Sequence, residues 1–438
     1  MRVEDAPIAG MKVVHLDVHG DSRGWFKENW QRTRMVEAGL PDFGPVQHNV
    51  SFNETAGTIR GLHAEPWDKF VSVVTGRVFA AWVDLRPGDG FGTTFWIEID
   101  SSVAVFVPRG VANSYQTLEE NTTYSYLVND HWRADAHYVN VSLLDESLEI
   151  PWPLPVTQMS EKDKGHPPLA EVVPMPPRRT IVLGANGQLG RALAGILPNA
   201  EFYDHDVVDF LRPETVENFD WTGVGVVINA AADTDVDGAE TPDGRRRSWA
   251  INVGGTVALA KQAIRHRFTL VGVSSDYVFD GTEVEHGVDE LVSPLGVYGQ
   301  TKAATEAVLA TVPRHYIVRT SWVVGDGKNF IDTMRKLARD GVSPSVVDDQ
   351  FGRLTPARDL AQGIVDLLEN NAPYGIVHIT GTGPVTTWWQ IAREVFESEG
   401  RDPNDVQAVS TSDWAAGQNR AISPRPRYGT LRLETDGS

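Results

Sequence analysis

The sequence contains no cysteine, no long hydrophobic run and no tract of basic residues. The lack of cysteine excludes disulfides, thiolate metal ligands and a cysteine nucleophile. No apolar stretch reaches the roughly 20 residues that a membrane-spanning helix needs. The first ten residues, MRVEDAPIAG, do not have the basic and then apolar regions of a signal peptide. Together these absences favour a cytoplasmic protein without a membrane partner.

The chain of 438 residues is acidic, with 59 acidic and 39 basic residues and a formal net charge of −20. Such a chain would be repelled by nucleic acid and by anionic membranes, so we expect neither as a partner. An anionic ligand would have to be held by a few arginine or lysine side chains placed around it. We therefore expect a small-molecule substrate.

The two halves of the chain have different periodicities. Between about residues 11 and 144, short segments such as KFVSVVTGRVFAAWVD are rich in Val, Phe, Tyr and Thr and are broken by turn residues, which predicts a β-sandwich, jelly roll or barrel. After residue 180, strands such as GVGVVINAAA alternate with helices such as GGTVALAKQAIRH, which predicts a doubly wound parallel sheet. A proline-rich stretch separates them. We assign an all-β domain to residues 1–173, a linker to 174–179 and an α/β domain to 180–438.

The segment IVLGANGQLG has the glycine spacing of a dinucleotide-binding turn. Gly184, Gly187 and Gly190 lie between a predicted strand and a predicted helix, where a pyrophosphate would sit at the helix N-terminus. A tight strand–helix turn without a ligand is the alternative. Asp204 follows the next strand and would accept hydrogen bonds from the ribose of NADH, whereas Arg191 would suit the 2′-phosphate of NADPH. The cofactor is therefore NADPH or NADH.

Beyond the glycine turn, the residues Ser275, Tyr298 and Lys302 predict a site that gives a proton to a substrate oxygen. In YGQTK, Tyr298 and Lys302 are four residues apart and share one face of a helix. A nearby ammonium should lower the pKa of the phenol, and Ser275 at the end of the preceding strand could bind the same substrate oxygen. A solvated helix face is the alternative for an isolated YxxxK.

The N-terminal half contains a second set of reactive side chains. His63 is suited to carry a proton near neutral pH, and basic side chains would suit a diphosphate; a packed or surface histidine is the alternative. GLHAE offers one histidine, and Asn113 stands where a second ligand is expected, so the sequence predicts no metal. The set comprises Arg23, Arg60, His63, Lys69, Tyr126 and Asp163.

The C-terminal half resembles the dTDP-4-dehydrorhamnose reductases, which are extended short-chain dehydrogenases/reductases. The resemblance covers most of residues 180–380 through GANGQLG, NAAADTDVDGAE, SSDYVFDG, YGQTK, VRTSWVVG and DDQFGRLTPARDLA. It implies a Rossmann-type domain with a small C-terminal substrate lobe, in which Tyr298 protonates the C4 oxygen, Lys302 lowers the pKa of Tyr298, and Ser275, Asp276 and Trp322 contact the substrate. The implied cofactor contacts are Gly184, Asn186, Gly187, Gln188, Leu189, Gly190, Asp204, Asp209, Ala230, Ala231, Ala232, Tyr298 and Lys302.

The N-terminal half is similar to the dTDP-4-dehydrorhamnose 3,5-epimerases, which are metal-free cupin-like jelly rolls, across roughly residues 10–170. The segments are DSRGWFKENW, QHNVSFN, TIRGLHAEPWDKF, YSYLVNDHW and SEKD. The resemblance implies that His63, oriented by Asp163, is the base, that Lys69 stabilises the oxyanion and that Tyr126 returns the proton. Asn113 replaces a family histidine, and the spacing from His63 to Lys69 is short. The implied substrate contacts are Arg23, Glu28, Gln47, Asn49, Arg60, Trp132 and Lys162.

Taken together, the two resemblances imply a bifunctional enzyme of dTDP-L-rhamnose synthesis. The first domain would epimerise dTDP-4-dehydro-6-deoxy-D-glucose at C3 and C5, and the second would reduce the C4 ketone. Two alternatives remain: a non-catalytic β-domain that binds the nucleotide sugar or mediates oligomerisation, and a related deoxysugar pathway with epimerisation at one carbon. The epimerase resemblance also implies a homodimer formed through the β-domain.

Overall fold

The computed structural model describes residues 1–134, 136–370 and 372–433. The chain divides into two compact units, Met1–Pro177 and Arg178–Ser438. Within the described residues, no helix combines the length and apolar character needed to cross a membrane.

The N-terminal unit is built almost entirely from antiparallel strands. Its two helices, α1 and α2, are short and span Arg32–Glu37 and Glu161–Lys164. Its strands, β1 to β13 in chain order, span Arg2–Asp5, Lys12–His15, Val18–Asp21, Gly24–Lys27, Gln47–Asn53, Ile59–Ala64, Lys69–Thr75, Val78–Asp84, Thr94–Ile99, Val103–Val107, Val111–Thr117, Thr122–Val128 and Val139–Asn140.

These strands form two facing sheets and a separate β3–β4 hairpin. One sheet has the order β1-β2-β10-β7-β12-β5 and the other β13-β6-β11-β8-β9. The alternation on either side of Thr75-Gly76 predicts a hairpin, and this prediction is wrong: Gly76 has a φ of +79°, but it leads from β7 in one sheet to β8 in the other, so the two strands do not pair. Val71 and Val73 on β7 and Ala80 and Trp82 on β8 are fully buried in one cluster. Because both sheets supply this cluster, the main core lies between them, and the predicted antiparallel all-β class is confirmed.

The segment predicted as a linker is not independent of the units on either side. The Met175 side chain is fully buried among residues of the β-unit, and its N–H donates to the Leu85 carbonyl at 2.8 Å. The first strand of the second unit begins at Arg179. Proline breaks regular structure but does not prevent packing, so Met175 joins the core of the β-unit from within the proline-rich segment.

The C-terminal unit alternates strands and helices. Strands β14 to β25 span Arg179–Leu183, Glu201–Tyr203, Val224–Asn229, Thr269–Ser275, His315–Thr320, Val323–Val324, Ser345–Val347, Phe351–Gly352, Thr355–Pro356, Gly375–His378, Thr386–Thr387 and Gln407–Val409. Helices α3 to α11 span Gln188–Ala194, Pro213–Glu217, Pro242–Ser248, Gly255–His266, Val297–Leu309, Phe330–Arg339, Ala357–Glu369, Trp388–Ser398 and Thr411–Ala416.

The central sheet of this unit is parallel and covered on both faces. Its order is β15-β14-β16-β17-β18-β23. Leu193 and Leu360, from α3 and α9, belong to one apolar cluster on the sheet, whereas Leu259 and Leu309, from α6 and α7, belong to another. Two clusters on one sheet confirm the predicted doubly wound arrangement. A further small core joins α8 and α10 near the C-terminus.

A buried ion pair connects α7 to β18 beneath the edge of the sheet where the strands end. Arg319 donates to both carboxylate oxygens of Glu306, at 2.9 and 2.8 Å, and Arg319 is 2% exposed. Removing one partner from such a pair leaves an uncompensated buried charge.

We expect Glu306→Gln to lower the free energy of unfolding of the C-terminal unit by about 3–5 kcal/mol, because the Arg319 charge would lose its partner. Urea unfolding measures the effect. The matched control is Glu399→Gln in the exposed pair with Arg339, which should leave stability unchanged within error. Equal effects of the two substitutions would contradict this assignment.

Candidate functional site

A cavity of about 500 Å³ opens in the β-unit and collects most of the residues predicted to be reactive. Strand β6 supplies Arg60 and His63, β7 supplies Lys69, β12 supplies Tyr126, and α2 supplies Lys162 and Asp163. In the β7–β12 register Lys69 lies opposite Val128, which places Lys69 and Tyr126 on the same face. The predicted residues that line the cavity are Arg60, His63, Lys69, Tyr126, Lys162 and Asp163.

His63 and Asp163 form the central hydrogen bond of this cavity. His63 Nε2 lies 2.9 Å from Asp163 Oδ1, and the Gly61 N–H donates to Asp163 Oδ2 at 3.4 Å. Burial by itself would raise the pKa of Asp163, but the hydrogen bond and charge of His63 outweigh it, so the pKa is lowered. The ionised carboxylate holds the proton of His63 on Nε2 and leaves Nδ1 as the acceptor.

Glu65 is a cavity residue that the sequence analysis did not identify. Its carboxylate lies 3.0 Å from Lys69 Nζ and accepts a hydrogen bond from Trp67 Nε1 at 2.5 Å. Burial, followed by the Glu65 charge, raises the pKa of Tyr126 to about 12, so the phenol stays protonated at neutral pH. Glu65 lies two residues after His63, and alternate residues of an extended chain share a face. This spacing was the signal in the sequence that could have identified Glu65 as a cavity residue.

Asn113, the departure from the epimerase pattern, has a structural role in the cavity wall. It lies opposite His63 in the β6–β11 register. Its side-chain oxygen accepts hydrogen bonds from Trp82 Nε1 at 2.9 Å and from the Tyr124 hydroxyl at 3.2 Å. Asn113 therefore satisfies two buried donors.

Arg23 and Glu28 are not brought to His63. Both belong to the β3–β4 region, where Arg23 pairs with Asp21 and Glu28 pairs with Arg34. Arg23 is 88% exposed. Neither residue lines the cavity that contains His63.

Gln47, Asn49 and Trp132 form a second group beside the cavity. Gln47 donates to the Asn49 side chain at 2.9 Å and accepts from the Trp132 N–H at 3.1 Å. Asn49 lies opposite Tyr126 in the β5–β12 register, and Trp132 is 63% exposed. This group therefore continues from Tyr126 toward solvent.

His166 was also missed; it lies at the start of the proline-rich stretch 165–180, before the predicted linker at 174–179. Its ring centroid is 5.2 Å from that of His63, and its Nε2 lies 3.9 Å from Asp163 Oδ1. Burial, and then the charge of His63, lower its pKa. The sequence prediction that no metal-ligand cluster is present needs correction here, since His63, Asp163 and His166 bring three potential ligand atoms within 4.8 Å of one another.

The glycine turn of the second unit packs as a dinucleotide-binding loop requires. Gly184 has a φ of +82°, and a Cβ there would lie 2.7 Å from the Ala231 nitrogen. A Cβ on Gly190 would lie 2.2 Å from the Gly184 carbonyl oxygen. Gln188 and Leu189 begin α3 directly after Gly187, so the turn presents a helix N-terminus. Ala230 to Ala232 follow β16 beside this turn, where the Ala230 N–H donates to the Leu183 carbonyl at 3.0 Å.

The two residues considered for cofactor choice occupy different environments. Asp204 follows β15 and accepts a hydrogen bond from the Asn186 N–H at 3.1 Å, which places its carboxylate at the glycine turn. Arg191 donates to the backbone carbonyls of Asn186 and Asp326. Asp209 lies farther along and pairs with Arg212 at 2.8 Å.

Ser275, Tyr298 and Lys302 lie where β17 and α7 pack together. The Lys302 ammonium donates to the Val273 carbonyl at 3.0 Å and lies 5.8 Å from the centre of the Tyr298 ring. Burial lowers the pKa of Lys302 to about 8. The expected lowering of the Tyr298 pKa is wrong for this structure: burial, followed by the Asp276 charge, raises it, and the Ser275 hydroxyl opposes that rise only in part. Tyr298 is therefore a protonated phenol at neutral pH.

Asp276 and Trp322 are the other two predicted substrate contacts of the C-terminal unit. Ser275 Oγ donates to Asp276 Oδ1 at 2.8 Å, and burial raises the pKa of Asp276 to about 7. Trp322 stacks on Trp388 with ring centres 3.9 Å apart and has a φ of +45°. Its indole is thus held by the small C-terminal core.

Asn252 is a further residue that the sequence analysis did not identify. It lies in a π-helical turn, Trp249–Gly254, between α5 and α6. Its side chain accepts a hydrogen bond from the Asp233 N–H and donates one to the Asp233 carbonyl. It also donates to Thr301 Oγ1 at 3.0 Å, and Thr301 directly precedes Lys302. No spacing in the sequence predicts this contact.

Comparison with known proteins assigns each unit to a family. The model described as dTDP-4-dehydrorhamnose 3,5-epimerase matches residues 5–171, and the model described as RmlD substrate binding domain matches residues 178–435. The chain belongs to both families. An epimerase-family domain is thus fused to an RmlD-family reductase domain.

Individual relatives agree with this assignment. The chain is 48% identical over 179 residues to the protein RmlC homolog of Streptococcus pyogenes, covering 39% of this chain and 90% of that protein. It is 37% identical over 274 residues to dTDP-4-dehydrorhamnose reductase of Aggregatibacter actinomycetemcomitans, covering 58% of this chain and 90% of that protein. The crystal structure of dTDP-4-dehydrorhamnose reductase from Bacillus anthracis in complex with NADP matches with a TM-score of 0.54 and 30% identity, covering 59% of this chain and 91% of that one.

We expect Gly190→Ala to cost about 1–3 kcal/mol of stability in the reductase domain, because the new methyl group would overlap the Gly184 carbonyl. Dinucleotide binding should weaken as well, since the turn must open to accommodate the methyl group. The matched control is Gly195→Ala at the end of the same helix, where the nearest atom to a Cβ is 3.5 Å away. Thermal unfolding and NADPH fluorescence titration measure both effects, and a Gly190→Ala protein that behaves like the control would refute the close packing.

Proposed function

We propose that the chain catalyses two consecutive steps of dTDP-L-rhamnose synthesis. The first is 3,5-epimerisation of dTDP-4-dehydro-6-deoxy-D-glucose, and the second is NAD(P)H-dependent reduction of the C4 ketone of the product. The observation that carries the proposal is the pairing, in one chain, of the His63–Asp163 hydrogen bond with the Ser275, Tyr298 and Lys302 set. Each set lies in a domain whose family matches the corresponding step.

In the epimerase domain, His63 is the base. Its Nδ1 removes a proton from C3 or C5, both of which flank the C4 ketone, and the electron pair forms an enolate with its charge on the C4 oxygen. The Lys69 ammonium stabilises that charge. Tyr126, whose pKa is about 12, then donates a proton to the opposite face of the carbon. Arg60 and Lys162 supply positive charge for the diphosphate.

In the reductase domain, Tyr298 is the acid. NADPH or NADH, when bound, supplies the hydride for C4. Tyr298 gives its proton to the C4 oxygen, and the raised pKa keeps this phenol protonated beforehand. Lys302 stabilises the phenolate that remains, and the Ser275 hydroxyl orients the ketone.

The proposal includes both reduced nicotinamides. The Bacillus anthracis relative was solved with NADP, which supports NADPH. The Asp204 carboxylate at the glycine turn favours a free ribose hydroxyl and hence NADH.

We further propose that the β-domain forms a homodimer. Apolar side chains are unusually exposed on the β3–β4 hairpin and on the edge strand β5, and a second copy covering them would remove this surface from water. They are Trp25 at 46%, Phe26 at 66%, Val50 at 58% and Phe52 at 54%.

Solvent exchange separates this proposal from its alternatives. The full chain is incubated in D2O with dTDP-4-dehydro-6-deoxy-D-glucose and no nicotinamide, and the sugar is examined by NMR. Deuterium at C3 and C5 is expected. Label at one carbon would favour the related deoxysugar pathway, and no label would favour a non-catalytic binding or oligomerising β-domain.

We expect His63→Asn to abolish exchange at both carbons while leaving the reduction of pre-epimerised substrate intact, since only the first step needs this base. Asp163→Asn should cause a partial loss, because it orients His63 without taking the proton. Normal exchange by His63→Asn would show that another residue is the base. Loss of both activities would show that the two sites are not independent.

We expect Tyr298→Phe to lose about 10²–10⁴-fold in the rate of C4 reduction, the usual contribution of a general acid, with nicotinamide binding largely kept. Stopped-flow oxidation of NADPH on pre-epimerised substrate measures the rate. The control is Tyr316→Phe, which removes another buried phenol hydroxyl, one that donates to the Ala372 carbonyl. A near wild-type rate for Tyr298→Phe would defeat the assignment.

A further inference from the structure

Behind the catalytic histidine, a third side chain completes a cluster with the donor set of a metal site. Asp163 Oδ1 lies 2.9 Å from His63 Nε2 and 3.9 Å from His166 Nε2. The three ligand atoms all lie within 4.8 Å of one another. Asp163 and His166 are each 6% exposed. Two of the three ligand side chains are therefore shielded from bulk solvent.

His166 is unusual because its imidazole is buried without a hydrogen bond. Among the described residues, neither Nδ1 nor Nε2 has a partner, and the backbone of Gly61 comes near the ring without reaching hydrogen-bond geometry. A buried polar group is costly when it is left unpaired. The proline-rich segment nevertheless directs this ring toward Asp163 rather than toward solvent.

Two imidazoles and one carboxylate are a ligand set that zinc favours, with water in the fourth position. Zinc–ligand bonds of about 2.1 Å would place tetrahedral ligand atoms about 3.4 Å apart. Around the ion, the 2.9 Å separation of Asp163 from His63 would widen by about 0.5 Å and the 3.9 Å separation of Asp163 from His166 would shorten by about 0.5 Å. The two histidine ligand atoms, at most 4.8 Å apart, would approach by up to about 1.4 Å. Gly61 holds Asp163 Oδ2 through its N–H. Oδ1 therefore already faces both histidines, as a shared ligand must.

We propose that His63, Asp163 and His166 bind a divalent transition-metal ion of the zinc type, and that the bound ion switches the epimerase domain off. The ion would be an inhibitor and not a participant in catalysis. The inhibitory part of this inference rests on the proposed role of His63 as the base, whereas the binding part does not.

The inhibition follows from the two nitrogens of one imidazole. In the metal-free domain, His63 Nε2 carries the proton and Nδ1 has the lone pair that takes the substrate proton. A metal that binds Nε2 takes the electron pair of Nε2 and displaces its proton. That proton moves through water to Nδ1 and occupies the lone pair there. His63 remains neutral but has no free lone pair left. The reductase domain does not use these residues and should keep its activity.

Binding is tested with Co²⁺, which absorbs visible light more strongly in tetrahedral coordination than as the hydrated ion. The full chain is treated with EDTA, freed of chelator and titrated. We expect one equivalent of intensely absorbing Co²⁺, displaced by Zn²⁺. Loss of a residue outside the ligand shell typically weakens metal binding by about 10–100-fold. Because His166 is a proposed ligand, His166→Gln should weaken Co²⁺ binding by at least that much. The control His19→Gln removes an exposed histidine from the β3–β4 hairpin and should bind as the wild type does.

If His166→Gln does not fold, Asp163→Asn serves as the second variant. We expect Asp163→Asn to lose the tetrahedral Co²⁺ spectrum as well. Far-ultraviolet circular dichroism reports folding in each case. Absence of the spectrum in the wild type, or equal binding by wild type and His166→Gln, would overturn the metal site.

Inhibition is measured by deuterium exchange at C3 and C5 with saturating Zn²⁺. We expect at least about a 100-fold loss of exchange for the wild type, reversed by EDTA, and little loss for His166→Gln. Undiminished exchange by the zinc-bound wild type would overturn the inhibitory role. A metal-free wild type that exchanges neither hydrogen would instead refute the proposed epimerase function, while the Co²⁺ titration would still decide whether the site binds metal.

Discussion

The hydrogen bond between His63 and Asp163 is the contact on which the organisation of the β-domain site depends. It joins strand β6 to a short helix 100 residues later. Asp163 reaches this place because Ser160 caps the helix and the Gly61 N–H donates to the second carboxylate oxygen of Asp163. The chain after the last strands must therefore fold back across the sheet before the site exists. That requirement also explains why the proline-rich stretch packs against the β-unit and carries His166 into the same region.

The two domains meet similar electrostatic demands with different scaffolds. Each has a tyrosine, the half-buried Tyr126 or the buried Tyr298, whose pKa is raised by desolvation and by a nearby carboxylate. In each, a lysine lies within 6 Å of the tyrosine ring, Lys69 at 5.7 Å and Lys302 at 5.8 Å. Burial keeps the phenols protonated, which suits proton donors, while the ammonium groups are available for charge that develops on a ketone oxygen. An antiparallel sheet and a parallel sheet thus provide comparable surroundings for a carbonyl group.

The scaffold of the reductase domain acts through close packing. Gly184 and Gly190 allow the turn to approach the end of β16, and the Arg319–Glu306 pair lies under α7, which carries Tyr298 and Lys302. Asn252 ties the same helix to the chain after β16. Several independent contacts therefore fix the phenol and the ammonium relative to the glycine turn. Fixed positions of this kind are what the proposed hydride transfer requires.

The sequence by itself determined the class of both domains and most of the reactive residues. Strand alternation, the glycine spacing and the YGQTK segment are local patterns. Such patterns can be read from the sequence because they arise from backbone geometry and helix periodicity. The tertiary structure alone decided which distant residues share an environment. It added Glu65, His166 and Asn252, separated Arg23 and Glu28 from the His63 cavity, and reversed the expected direction of the Tyr298 pKa. Apart from the two-residue spacing of His63 and Glu65, no spacing along the sequence encodes these contacts, because burial and long-range proximity depend on how the whole chain packs.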